Sequence, residues 1–198
     1  MGTVKALDWL YKKGQKEMEN EDYDNARKRF SKILQMTRDS NWIEKANAGL
    51  AEIYLEEGNL FWSMDHIHRA LKNNPNKSHY HYIKGLIHLR REEWEQAADE
   101  GVKAVDDHTE NGSYYYLLGK ALYHVEGYES ASRLLDWAVE CSPEDLDIQF
   151  EVVGIEIEQG HFQKALKILK RALDTSADKE RIRDKMRVIQ EHWKITGS

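Results

Sequence analysis

Residues 112–145 read GSYYYLLGKALYHVEGYESASRLLDWAVECSPED, and this stretch decides the fold. Tyr115, Leu118, Gly119 and Leu122 recur at helical spacing, the pattern breaks at Glu126-Gly127, and Ala131, Leu134, Leu135 and Ala138 resume it. The stretch therefore encodes two antiparallel helices joined by a short turn, closed by Ser142-Pro143. Ser142 offers an N-cap, Pro143 a first-turn proline, and Glu144 and Asp145 two acids for the positive end of the next helix.

Working outward, the only other proline, Pro75, stands 68 residues upstream in the same context, which suggests a repeat of 34. Shifting the chain by 34 superposes Ala51, Gly85 and Gly119, then Ser63, Ala97, Ala131 and Ala165. The same shift superposes Ala70, Ala104, Ala138 and Ala172, and the bulky series Leu60, Trp94, Tyr128 and Phe162. Gly14, Tyr23, Ala26, Phe30 and Ile33 carry the spacing into the N-terminal part, with three extra residues, Asn41-Trp42-Ile43, before the second unit. Five units result, at about 7–40, 44–77, 78–111, 112–145 and 146–179. The small residues let helix backbones approach while an aromatic neighbour fills the space. Gly58 and Gly160 let the chain leave a helix with positive φ.

Composition agrees. The chain has 198 residues, 40% hydrophobic and 32% charged, with 12 glycines and 2 prolines, which suits a thin helical array with a wet surface and leaves few turn signals for strands. No Pro-, Gly- or Ser-rich linker divides it, so residues 1–198 are expected to form one continuous domain. The net charge of -6 argues against nucleic acid, and the basic clusters, such as DKERIRDKMR at 178–187, are mixed with acids. Cys141 is the only cysteine, and the longest apolar run, Tyr114 to Leu118, has five residues. Those two features point to a cytoplasmic chain with no membrane insertion and no internal disulfide.

The pattern resembles the tetratricopeptide repeat family, W-x2-L-G-x2-Y, then A-x3-F-x2-A and a proline. The fourth unit carries it best, with Tyr115-x2-Leu118-Gly119, Tyr128, Ala131-x3-Leu135-x2-Ala138 and Pro143. Gly101 and Val153 depart from it. The resemblance covers roughly residues 7–179 and implies an all-α, right-handed superhelical array of antiparallel helix pairs, an α-solenoid. Residues 180–194, with Ile182, Met186, Ile189 and Trp193 at helical spacing in a charged stretch, resemble the solvating helix that caps such arrays.

The resemblance also implies a concave wall lined by the first helix of each unit, where a peptide or helix of a partner protein docks. Candidate groove residues are Tyr11 and Gln15 in the first unit, Tyr82, Leu86, Leu89 and Arg90 in the third, Tyr116, Lys120, Tyr123 and His124 in the fourth, and Phe150 in the fifth. An aromatic and aliphatic groove carrying Lys120 and Arg90 suits a hydrophobic or amphipathic segment with an acidic group. The other reading of the same stripes is packing between adjacent helices. Family members that clamp chaperone tails do so with Lys and Asn on first helices, whereas these places hold Tyr11, Gln15, Gly49, His79 and Ile83.

Five of nine histidines lie between His66 and His88, yet their spacing gives no compact ligand set, so neither metal nor cofactor is expected. The chain has no Gly-rich phosphate loop, HExxH or GxSxG, and an enzyme is not expected. Trp62 and Trp137 either pack under a neighbouring unit or mark a convex patch for self-association, the alternative function being a self-assembling scaffold that uses its ends or convex face.

Overall fold

A computed structural model describes residues 2–105 and 110–196, the side chains of Gly2, Thr3, His192, Ile195 and Thr196 excepted. The contacts gather into two compact units, one ending at Asp106 and one beginning at Asp107. The first contains α1 (Gly2–Glu19), α2 (Tyr23–Met36), α3 (Ser40–Glu56), α4 (Leu60–Asn73), α5 (Ser78–Arg90) and α6 (Trp94–Ala104). The second contains α7 (Gly112–Val125), α8 (Tyr128–Cys141), α9 (Leu146–Glu158), α10 (Phe162–Thr175) and α11 (Lys179–Thr196). Among the described residues every regular element is a helix. The all-α array of helix pairs expected from the sequence is present in both units.

The bulky series marks the helix starts: Tyr23, Leu60, Trp94, Tyr128 and Phe162 are the first residues of the five second helices. The alanine rows mark their inner faces, since Ala97, Ala131 and Ala165, like Ser63, are fully buried, as are Ala70, Ala104 and Ala138. Ser63 keeps its hydroxyl in this apolar row by donating to the Ala51 carbonyl at 2.7 Å.

One backbone bond recurs in all five hairpin turns. The N–H of Asp22, Asn59, Glu93, Gly127 and His161 donates to the carbonyl five residues back, on Glu17, Tyr54, His88, Leu122 and Glu156, at 2.8 to 3.2 Å. In four of the turns this bond closes the helix through one left-handed residue, whereas in the fourth Glu126 is right-handed and Gly127 itself carries a positive φ of 94°. Gly58 and Gly160 fill that place with φ of 75° and 74°, as their position in the sequence suggests, while Glu21 and Glu92 adopt it at 59° and 58°.

Three local expectations are corrected. Pro143 is not in the first turn of α9, and Ser142 is not its N-cap. Asp145 caps α9, accepting from the N–H groups of Asp147 and Ile148, while Pro143 stands in the turn before it. Pro75 likewise lies in a turn ahead of α5, where its carbonyl contacts His81 Nε2 at 2.7 Å, as Pro143 O accepts from Gln149 Nε2 at 2.6 Å. The extra residues Asn41-Trp42-Ile43 assigned before the second unit are helical. They form the first turn of α3, which runs 17 residues where α5 has 13, behind an Asp39 cap.

The core of the first unit has two parts. One surrounds Phe30, which is fully buried between α1 and α3 with Leu7, Leu10, Ile33, Leu50 and Ile53. A β-carbon on Gly14 would stand in tight contact at 3.0 Å from the Phe30 ring, and one on Gly49, at 2.6 Å, would force that buried ring to shift. The other part joins Leu55, Ile67, Tyr80, Ile83 and Ile87 of α3, α4 and α5. In the second unit a single cluster runs from Ala131 through Val152, Val153 and Leu169 to Ile182 and Ile189, so α11 is held by two fully covered isoleucines. Met186 and Trp193 pack beside them, and the rest of that helix is mainly polar.

Candidate functional site

In the second unit, stripes from α7, α9 and α11 converge. On α7, Tyr116, Lys120 and Tyr123 share a face because they are spaced four and three residues apart. Phe150 and Gly154 on α9, with Glu151 and Glu158 beside them, present a matching stripe, and Lys185 of α11 closes the end. Together with His124 and Ile155 they line a cavity of about 300 Å³. Four of the sequence candidates, Lys120, Tyr123, His124 and Phe150, therefore share one hollow, and Tyr116 lies beside it through Lys120.

This face is internally wired. Tyr116 donates its hydroxyl to Glu151 at 2.9 Å, and Lys120 reaches the same carboxylate oxygen at 2.6 Å and the Tyr116 oxygen at 2.8 Å. The Lys120 ammonium beside it, helped by the Tyr116 hydroxyl, holds the Glu151 carboxyl below its ordinary value against the effect of burial. Tyr123 donates to Glu158 at 2.9 Å and accepts from Gln159 at 3.1 Å. The Phe150 ring is covered by the Arg181 guanidinium, 4.6 Å from its centre. The sequence reading missed Glu151, Glu158, Gly154 and Lys185. Its signal was available, since each tyrosine and its carboxylate stand 35 residues apart, one repeat plus one.

In the first unit the candidates lie on two helices that both touch α3. Tyr11 of α1 packs at 5.8 Å from Phe30 and 6.2 Å from Trp42, so it is partly a core residue, while Gln15 is exposed. Tyr82 and Leu86 of α5 lean on the core, and Leu89 is half-buried. Tyr82 also stacks on His79, whose Nε2 lies 2.6 Å from Glu52. Arg90 is turned to α3, donating to the Leu55 carbonyl and pairing with Glu56 at 3.7 Å. Lys120 and Arg90, the two cations expected to draw an acidic group, are thus both engaged within the fold.

Other clusters are structural in geometry. Glu100, 4% exposed, meets His81 Nδ1 at 2.6 Å and both Lys84 and Lys103 at 2.9 Å. Burial raises its carboxyl, but these bonds outweigh it and hold the group down at about 2. Glu156, fully buried, accepts from Tyr128 at 2.8 Å and pairs with Lys164 at 2.9 Å and His161 at 3.0 Å. Among the described residues no group of three or more His, Cys, Asp or Glu is placed to hold a metal ion. No helix there is long and apolar enough to cross a membrane.

Trp62 and Trp137 are 46% and 40% exposed, each leaning on a tyrosine of its own hairpin, Tyr54 at 6.5 Å and Tyr115 at 5.4 Å. Phe61, beside Trp62, is 68% exposed.

Comparison with known proteins places these hairpins. The YfiO family model, described as an outer membrane lipoprotein, matches residues 5–113, and a tetratricopeptide repeat model matches 116–180. Among solved structures, a thermophilic tetratricopeptide repeat protein of Thermus thermophilus superposes with a TM-score of 0.76 at 14% identity, over 93% of this chain and 98% of that one. PilF of Pseudomonas aeruginosa gives 0.76 at 14% identity over 99% and 94%. MamA from Desulfovibrio magneticus gives 0.65 at 16% over 89% and 96%. These likenesses show the fold. No curated protein matches the sequence.

Proposed function

We propose that this chain, which belongs to the tetratricopeptide repeat family and over residues 5–113 to the YfiO family, is a protein-binding module that holds a segment of a partner protein on its first-helix faces. The supporting observation is the tyrosine face of the second unit, where Tyr123 lines a hollow together with Phe150 and Gly154 and Tyr116 stands beside it through Lys120 and Glu151. Tyrosine offers broad contact area at little cost in side-chain entropy, which favours recognition of an amphipathic segment over chemistry on a small molecule. The bonds to Glu151 and Glu158 hold the rings in place before a ligand arrives, and such preorganisation lowers the entropic cost of binding.

The test compares the intact protein with Tyr116→Ala/Tyr123→Ala in affinity capture from native lysate, after circular dichroism has shown equal helicity. A partner retained by the intact protein alone supports this reading, and equal recovery by both contradicts it.

A self-assembling scaffold is the second reading, favoured by the adjacent exposed rings of Phe61 and Trp62 on α4. Under it, Phe61→Ser with Trp62→Ser lowers the mass measured by light scattering and leaves partner capture intact. We place the module in the cytoplasm on its single cysteine, the half-buried Cys141. Cell fractionation tests this: the protein is expected in the soluble fraction, and recovery with membranes would overturn the placement.

A further inference from the structure

Two buried side chains show how this chain answers polar groups in its interior. Asn47, 2% exposed, donates to the Ile43 carbonyl at 2.7 Å and meets His66 Nδ1 at 2.9 Å through its oxygen. Glu156 is met by Tyr128, Lys164 and His161. Gln149 of α9, equally covered at 2% exposure, is answered by half. Its Nε2 donates to the Pro143 carbonyl at 2.6 Å, while its Oε1, buried as well, accepts no hydrogen bond among the described residues. An acceptor buried in that state is costly, and such atoms are rare in folded proteins.

The amide stands in the wall of a cavity of about 220 Å³ between α8, α9 and α10. Val139, Ile168 and Ala172, all buried, give that cavity an apolar lining. The Pro143 carbonyl at its edge already takes two donors, Gln149 Nε2 and Thr175 Oγ1 at 3.1 Å, one for each lone pair. Glu140 and Arg171, both exposed, bring one charge of each sign, so the lining favours a guest without net charge. None of these residues lines the hollow of the tyrosine face.

Size and chemistry narrow the guest further. A cavity of about 150 Å³ lined by aliphatic side chains takes one benzene ring, and this one leaves room for a substituent. A water molecule needs several polar partners, which a mainly apolar lining does not supply. A ring with a single hydroxyl matches both the apolar walls and the one unanswered acceptor.

We propose that the cavity between α8, α9 and α10 is a binding site for a phenol, whose neutral ring lies among Val139, Ile168 and Ala172 and whose hydroxyl donates to Gln149 Oε1. The site goes beyond the partner-binding reading and does not depend on it.

The experiment titrates the full chain with phenol, toluene and N-acetyltyrosinamide, following the Gln149 side-chain amide and the Ile168 methyl resonances by NMR. Phenol is expected to shift both and to bind about tenfold more tightly than toluene. In a wholly apolar cavity that order is reversed, because the hydroxyl loses water without replacement. Gln149→Met keeps the side-chain length and removes the acceptor, so it is expected to abolish the preference for phenol while toluene still binds. N-acetyltyrosinamide binding alongside phenol supports the site in the form of a seat for a tyrosine side chain, and phenol binding alone supports it as a small-molecule site. Toluene bound as tightly as phenol by the unmodified protein overturns the proposal whatever the variant does, as does binding of none of the three. A preference for phenol that survives in Gln149→Met overturns it too. A tenfold gain in phenol affinity on Arg171→Ala would identify that guanidinium as the partner of Oε1 and overturn it as well.

Discussion

Tyr123 donates its phenolic hydrogen to Glu158 at 2.9 Å, and Tyr116 makes the same bond to Glu151 one helical stretch earlier, each across 35 residues. Two rungs of one ladder thus join α7 to α9 on the face that carries the candidate hollow. Their hydroxyls and carboxylates are near solvent, so the rungs set ring position more than stability. Tyr116→Phe and Tyr123→Phe should each cost less than about 1 kcal/mol in urea denaturation. Peptide affinity, measured on the same variants, should fall, because the rings lose their orientation while keeping their area.

The buried ring of Phe30 sets a harder limit. With a β-carbon at position 49 only 2.6 Å from that ring, Gly49→Ala should destabilise the first unit by about 1–3 kcal/mol through overpacking. Phe30→Leu added to Gly49→Ala should cost less than the sum of the two single changes, a coupling that a double-mutant cycle in denaturant would show. Additive costs would contradict the contact.

Glu21 and Glu92 occupy the left-handed turn position that Gly58 and Gly160 fill in other repeats. A non-glycine residue there is strained by roughly 1–2 kcal/mol, part of which is offset by the larger entropy loss of glycine. Glu92→Gly should therefore stabilise the protein by up to about 1 kcal/mol, read as a raised urea midpoint with unchanged slope. Gly160→Ala should do the opposite.

Acid should weaken the fold in two stages. Burial lowers His66, with Arg69 adding to it against Asp65. Burial also lowers His68, with Lys84 and His88 adding to it against Glu100 and Asp65. Below the ordinary imidazole value near 6.5 the unfolded chain takes up protons that these side chains refuse in the folded state, so stability falls as pH falls. Glu100 is held down at about 2 by Lys84, His81 and Lys103 despite its burial. Its contribution is present above the ordinary carboxylate range and is lost as pH drops through that range toward 2. Urea midpoints measured from pH 8 to pH 3 should fall throughout. Glu100→Gln should flatten the lower part of the curve, and His68→Gln the upper.

The repeat was legible because its signals are steric. Ala97, Ala131 and Ala165 are fully buried on the inner faces of their helices, and Tyr128 and Phe162 start helices, so a period of 34 carries the register directly. Turn chemistry was less legible. Pro143 matches a first-turn signal as well as a turn signal, and the Gln149 side chain that claims its carbonyl lies six residues away. The candidate face was half legible: the tyrosines are conspicuous on α7, whereas Glu151 and Glu158 look like ordinary solvated acids until the repeat is folded against its neighbour. Gly154 and Lys185 join that face only through the fold, which brings α9 and α11 to the same hollow.

The most direct measurement is photo-crosslinking in living cells with a photoreactive phenylalanine placed at position 116 on α7, or at position 61 on α4. The expected result is an adduct with a different protein from position 116 and none from position 61. An adduct with a second copy of this chain from position 61, with none from position 116, would contradict a partner held on the tyrosine face and put self-assembly in its place.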